Sequence, residues 1–285
     1  MNSSPSVALV TGSTSGIGAA IARRLSNEGF AVVLHSRSSV DAGHALASEL
    51  TMAAYVQADL ANEADRKRLV REAIAMWGRL DVLVNNAGVS QVIPHADISA
   101  ATPDVWQKLH EVNVVAPFRL VAHAESALRD TAARGKPGCV INISSHAGVR
   151  PKGASIPYAA TKAALNHVTR LLALSLSPHI RVNAVAPGLV DTPMTTDWTQ
   201  AQQIWKEQAP MRRAASPEDI AQAVAMLVAS DYLTGEILLS DGDLKSKKQA
   251  LATAWLHLVR DLAVRRIYAY TSRHATHRQT QQTLR

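Results

Sequence analysis

The sequence holds a single cysteine among 285 residues, which excludes an internal disulfide and fits a reducing compartment. Cys139 stands in the strand-like stretch Cys139-Val-Ile-Asn-Ile143, where a buried, unreactive thiol is expected rather than a nucleophile. Long apolar runs are also missing. Arg, Lys, Asp, Glu or His breaks each one before it reaches the ~20 residues of a membrane-crossing helix. The opening, Met1 to Ser6, is polar and leads straight into residues 7–10 without the apolar stretch of a signal peptide, so a cytoplasmic protein with no membrane span is expected. No internal repeat, low-complexity block or linker interrupts the chain before Asp243.

The main body lacks net charge, although the whole chain carries +7. Nine of the 30 basic residues but only one of the 23 acidic ones, Asp261, lie from Lys245 onward, leaving 21 and 22 before it. The excess therefore describes a tail and not a basic nucleic-acid-binding domain, and no nucleic-acid partner is expected. Two units follow: a body over 1–243 and a basic extension over 244–285.

What is present is an alternation of short β-branched runs with longer amphipathic stretches. Strands are predicted at 7–10, 31–34, 53–56, 82–84, 139–143, 181–185 and 236–239. Helices are predicted at 17–28, 41–50, 63–77, from 103 onward, 158–177, 200–208 and 217–229. Thr102 and Ser216 precede Pro103 and Pro217 as expected N-caps. The early strands are apolar at consecutive positions, as in strands covered on both faces, which predicts an α/β fold: an open, doubly wound, mainly parallel sheet with helices on both sides. Ligands in such sheets lie at the strands' carboxyl ends.

Directly after the first strand comes Thr11-Gly12-Ser13-Thr14-Ser15-Gly16-Ile17-Gly18. Gly12 permits a tight turn, while Gly16 and Gly18 are expected to let backbone N–H groups and the positive end of a helix approach a pyrophosphate. The glycines alone would equally suit a bare turn. Tyr158 and Lys162 stand four apart on one helix face. A phenol titrates near ~10 and is a poor base at neutral pH, so an adjacent ammonium is expected to favour the phenolate and tune Tyr158 for general acid/base work.

The turn is not the G-x-G-x-x-G fingerprint. It resembles the T-G-x-x-x-G-x-G turn of the short-chain dehydrogenases/reductases, and further motifs follow in that family's order: Asn85-Asn86-Ala87-Gly88, Asn113, Ser145, Tyr158 with Lys162, and Pro187-Gly188. The resemblance spans roughly residues 7–243 and is nearest to the 3-oxoacyl-carrier-protein reductases. It implies a single Rossmann-type domain, usually a homotetramer or homodimer, that moves a hydride between a nicotinamide and a small-molecule carbonyl or alcohol. By the resemblance, Tyr158 moves the proton, Ser145, favoured over Ser144 by its spacing, holds the substrate oxygen, Lys162 also binds the ribose, and Asn113 holds a relay water. The cofactor would lie along Thr11, Gly12, Ser13, Ser15, Gly16, Ile17 and Gly18, with Asp59 and Leu60 near the adenine. Asn86, Ala87 and Gly88 would run beside it, Pro187 and Gly188 would also bind it, Val190 and Thr192 would sit near the carboxamide, and no metal is called for.

The end of the second strand lacks an acid. Ser36 stands where one would bond the ribose hydroxyls, and Arg37 follows, able to pair with a 2′-phosphate, so NADP is expected over NAD. Between 190 and 211, Met194, Trp198, Trp205 and Met211 suit either a mobile cover over the pocket or plain packing, and His146 with residues 149–157 is a candidate pocket wall. In the extension, Leu251, Trp255, Leu258 and Leu262 recur at helical spacing near Arg260, Arg265 and Arg266, while 272–285 reads as disordered. The alternative function is therefore a binding or regulatory protein of this fold whose basic tail contacts an acidic partner.

Overall fold

A computed structural model describes residues 4–243; the expectations for the extension lie outside the described residues. Seven strands form one sheet: β1 Val7–Val10, β2 Ala31–Ser36, β3 Ala53–Gln57, β4 Val82–Asn85, β5 Gly138–Ile143, β6 Ile180–Pro187 and β7 Ile237–Ser240. Their order is β3-β2-β1-β4-β5-β6-β7, with every pairing parallel. The strand order reverses between β1 and β4, and the two halves diverge there to leave a crevice.

The helices are α1 Gly16–Asn27, α2 Val40–Glu49, α3 Glu63–Trp77, α4 Pro103–His110, α5 Ala116–Ala132, α6 Ile156–Leu176, α7 Thr199–Gln208 and α8 Pro217–Ala229. Alternation along the strands separates two cores. Val7, Leu9, Val33, Leu83, Val140 and Val182 face Leu69 and Val70 of α3 and Leu120, Val121 and Leu128 of α5. On the other face Ala8, Val10, Val32, Leu34, Val84 and Ile141 meet Ile21 and Leu25 of α1, Leu46 of α2 and Ile220 and Val224 of α8. Each such fully buried aliphatic side chain contributes on the order of 1.5–3 kcal/mol, which fixes the register of the strand ends where the motifs sit.

Three details differ from the sequence expectation. The helix from Pro103 is not continuous: a π-helical turn, Glu111–Val115, joins α4 to α5 and carries Asn113. Ser216 caps α8 through a capping box with Asp219, but Thr102 occupies the corresponding position of α4 without a side-chain bond. β2 runs two residues past the predicted end, through His35 and Ser36, both buried.

Candidate active site

The glycine turn, Asn85–Gly88, Ser145 and Pro187–Gly188 lie at the carboxyl end of a strand or just beyond it, while Asn113 lies in the π turn and Tyr158 and Lys162 lie in α6. After β1, Thr11 Oγ1 donates to Val84 O (3.2 Å) and accepts the Asn86 and Ala87 amides (3.0 Å each), binding the turn to the end of β4. Asn86 Nδ2 donates to Thr11 O and Gly12 O. Gly12 has φ +62 and Gly16 φ +51, in the left-handed region, and a Cβ on Gly12 would stand 2.9 Å from Ala87 Cα.

The turn uses its parts differently from the expectation. A Cβ on Gly18 would fall 2.2 Å from Gly12 O and 2.5 Å from Asn86 Nδ2, so Gly18 is required by the turn's own packing rather than by a ligand. The Gly12 amide is already committed, donating to His35 Nδ1 (3.1 Å), and Ser13 is buried with its hydroxyl accepting the His35 amide (2.9 Å). What remains for a phosphate is the first turn of α1. Ser15, exposed at the cap position, makes no side-chain bond to the first-turn amides of Gly16, Ile17 and Gly18. Thr192 closes over this helix end, 3.2 Å from where a Gly16 Cβ would stand, and Val190 beside it bridges to Ala215.

At the end of β2, Ser36 Oγ pairs with Tyr55 OH (2.8 Å) and accepts the Ser39 amide, so it is spent on the protein. The Arg37 side chain is exposed and, among the described residues, makes no hydrogen bond or ion pair. Beyond β3, Asp59 Oδ1 accepts the Ala61 amide and Leu60 is buried. These residues fit a nicotinamide dinucleotide: uncapped amides at a helix end for the diphosphate, and a free guanidinium beyond the second strand.

Two of the residues expected to handle a proton meet behind Gly88, whose absent Cβ would be 3.1 Å from Asn113 Oδ1 and 3.5 Å from Lys162 Nζ. Asn113 is pinned by the π turn, with Oδ1 accepting the Val89 amide (2.9 Å) and Nδ2 donating to Val89 O (2.9 Å) and Thr161 Oγ1 (3.1 Å). Ser145 caps a short 3-10 turn, His146–Gly148, accepting the Ala147 amide (3.1 Å), and its hydroxyl acts on the Tyr158 phenol to favour the ionised form. Ser144 turns away, donating to Lys162 O. Ser155 caps α6 by accepting the Tyr158 amide, which sets Tyr158 in the first helical turn.

Lys162 stands beside Tyr158 on α6 as the spacing predicts, but the expected effect of its charge on the phenol is not seen. Its Nζ donates to Ile143 O (2.9 Å) and lies 5.8 Å from the centroid of the Tyr158 ring. Burial holds its pKa down at about 8, and burial pushes the Tyr158 phenol up against the opposing influence of the Ser145 hydroxyl. The expected depression of the phenol is absent because the phenol's own burial disfavours its ionised form, while the Lys162 ammonium is held by a carbonyl.

His146 is not a free pocket wall either. It is buried, with Nδ1 on Asp241 Oδ2 (2.9 Å), a carboxylate that Arg150 also approaches (3.2 Å), and its ring edge meets Trp205. Trp205 in turn covers Gly188, whose Cβ would come within 3.0 Å of it, and Gly188 N donates to Ser240 O. Sequence reading also missed a buried relay from Asn85 Nδ2 to Asn142 Oδ1 and from Asn142 Nδ2 to Thr169 Oγ1 (2.9 Å each) that ties β4, β5 and α6 under the site. Polar residues inside apolar strand runs are the signal that exposes it. Cys139 is buried as expected, its thiol pushed up to about 11 by desolvation.

Residues 12–244 match the family described as "Enoyl-(Acyl carrier protein) reductase". Among curated proteins, the chain is 48% identical over 243 residues to the Streptomyces violaceoruber protein named "Granaticin polyketide synthase putative ketoacyl reductase 2", covering 83% of this chain and 94% of that one. Among solved structures, the "RhlG/NADP active-site complex" of Pseudomonas aeruginosa is similar at TM-score 0.78 and 33% identity, covering 84% of this chain and 96% of that one. The 3-ketoacyl-(acyl-carrier-protein) reductase of Brucella melitensis, complexed with NADH, is similar at TM-score 0.77 and 31% identity, covering 84% and 97%.

Proposed function

Because this chain belongs to the short-chain dehydrogenase/reductase family and is an oxidoreductase of CH–OH and C=O groups, we propose that it is an NADP-dependent carbonyl reductase with Tyr158 as its general acid/base. The observation that carries the reading is the grouping of half-buried Ser145 and Tyr158 with buried Lys162 and Asn113, together with the uncapped end of α1. NADPH, when bound, supplies the hydride. Ser145 and Tyr158, close enough for the serine hydroxyl to favour the ionised phenol, form a two-point seat for a carbonyl oxygen, so that charge developing there meets donors placed in advance. Tyr158, its proton held firmly by burial, gives it to that oxygen. Lys162 at about 8 is poised to exchange a proton near neutrality, and Asn113 is the far end of the relay toward solvent.

NADP is favoured over NAD by the exposed Arg37 and by the absence of a carboxylate at Ser36. A 3-oxoacyl thioester is the substrate class we favour. The S. violaceoruber relative is named a ketoacyl reductase, and an apolar cavity of about 200 Å³, lined by Ile93, Pro94, Ile98, Trp106, Ile156 and Pro157, runs up to the turn that carries Tyr158. A homo-oligomer, tetramer or dimer, is supported by exposed Phe118 on α5 and Leu171 and Leu174 on α6.

Titration of the purified protein with NADPH and NADH tests the cofactor reading. NADPH should bind at least tenfold more tightly than NADH, and Arg37→Ala should remove most of that difference. Equal affinities unaffected by Arg37→Ala would refute it.

A further inference from the structure

His35 is 2% exposed at the end of β2, directly under the glycine turn. Its ring is held between two backbone groups: the Gly12 amide donates to Nδ1 at 3.1 Å, and Nε2 lies 3.0 Å from Ala58 O. An amide only donates and a carbonyl only accepts, so the ring is neutral with its proton on Nε2. The backbone of the same residue is bound to Ser13: His35 N–H donates to Ser13 Oγ (2.9 Å) and Ser13 N–H to His35 O (2.9 Å). One residue therefore fixes the first two peptides of the turn together with the carbonyl just ahead of Asp59. Gly12 sits at φ +62 outside any strand ladder, and without Nδ1 its part-buried amide would lose its partner.

We propose that His35 is a positioning residue for dinucleotide binding: the neutral imidazole locks the Gly12 peptide and the Ala58 carbonyl, so that the free amides of α1 and the Asp59 loop are set before the cofactor arrives. The inference rests on the NADP reading of this turn. The charged groups acting on the ring are Asp59 and Asp65, which favour its protonation, with Arg68 pairing to Asp65; burial outweighs them and holds the pKa at about 4. A proton on Nδ1 would face the Gly12 N–H donor to donor, and the turn would have to open. Cofactor affinity should therefore fall in acid as the binding-competent fraction falls.

The test is calorimetric titration of the full-length protein with NADP⁺ at pH 7 and pH 4, beside His35→Leu and His35→Asn. Asparagine places Oδ1 where Nδ1 stands and accepts the Gly12 amide without titrating. At pH 7, loss of the acceptor in His35→Leu should weaken binding about tenfold or more, with His35→Asn recovering most of the loss. On going to pH 4, the wild type should lose about twofold more affinity than His35→Asn, since half of the free protein then carries a charged ring. If His35→Leu fails to fold, the comparison of wild type with His35→Asn across pH carries the test. Wild-type binding with His35→Leu equally tight, or His35→Asn as acid-sensitive as the wild type, overturns this inference alone. A wild type that binds no nucleotide overturns the NADP reading and this inference with it.

Discussion

Lys162 is buried to 5% exposure, its one hydrogen bond goes to a carbonyl, and no carboxylate pairs with it among the described residues. A lysine in the unfolded chain keeps its proton to about 10.4, whereas this one releases it at about 8. Between those values the unfolded state binds more protons than the native one, so stability rises with pH across the window. The penalty relieved is on the order of 3 kcal/mol. Lys162→Met should therefore be the more stable protein at pH 7, with its advantage shrinking as pH climbs from 8 toward 10.5 in urea unfolding. An advantage that does not change with pH would mean that the ammonium is not desolvated. The motif spacings made Ser145, Tyr158 and Lys162 legible in the sequence, but the electrical state of the last two was not. Their pKa directions depend on how much water the sheet and α6 exclude, which no i,i+4 spacing encodes. His35 was invisible for a related reason: it stands just past the predicted end of a β-branched run, and only the fold of the preceding turn brings Gly12 onto it.

Among the elements, the glycine turn makes the sharpest demand. At Gly18 a methyl group would meet the Gly12 carbonyl at 2.2 Å, a backbone atom that cannot swing aside. Gly18→Ala should displace the turn and weaken NADP⁺ binding about a hundredfold or more, a loss of roughly 3 kcal/mol. Gly29→Ala, where nothing lies within 4 Å, should leave binding unchanged despite its φ of +88. Nucleotide titration of both variants checks this, and equal losses would point to backbone strain rather than the close approach. The five central strands were readable from their apolar runs because burial on both faces leaves little other choice, and the half-buried edge strands β3 and β7 followed the same alternation. The break between α4 and α5 was not readable. Residue type does not distinguish a π turn from α-helix, and here the turn coincides with Asn113 bonding both backbone groups of Val89, a partner 24 positions away. The cap of α8 was legible because Asp219 completes it locally; Thr102 has the right residue type for a cap but makes no such bond.

At the scale of the whole molecule, the crevice where the strand order reverses brings the helix end of α1 and the Tyr158 hydroxyl to the same edge of one parallel sheet. Helix faces away from that edge carry exposed apolar residues, with Leu174 at 81% exposure. Leu174→Glu should shift the protein to a smaller species by light scattering; an unchanged mass would remove α6 from the subunit contact. The central claim is that Tyr158 delivers the proton to a carbonyl oxygen while NADPH delivers the hydride. It is tested most directly by following NADPH oxidation with a short 3-oxoacyl thioester in the wild type and in Tyr158→Phe. The account predicts turnover in the wild type and a loss of about 10²–10⁴-fold in the variant, with NADPH affinity unchanged within about twofold. A variant that turns over at the wild-type rate would contradict it.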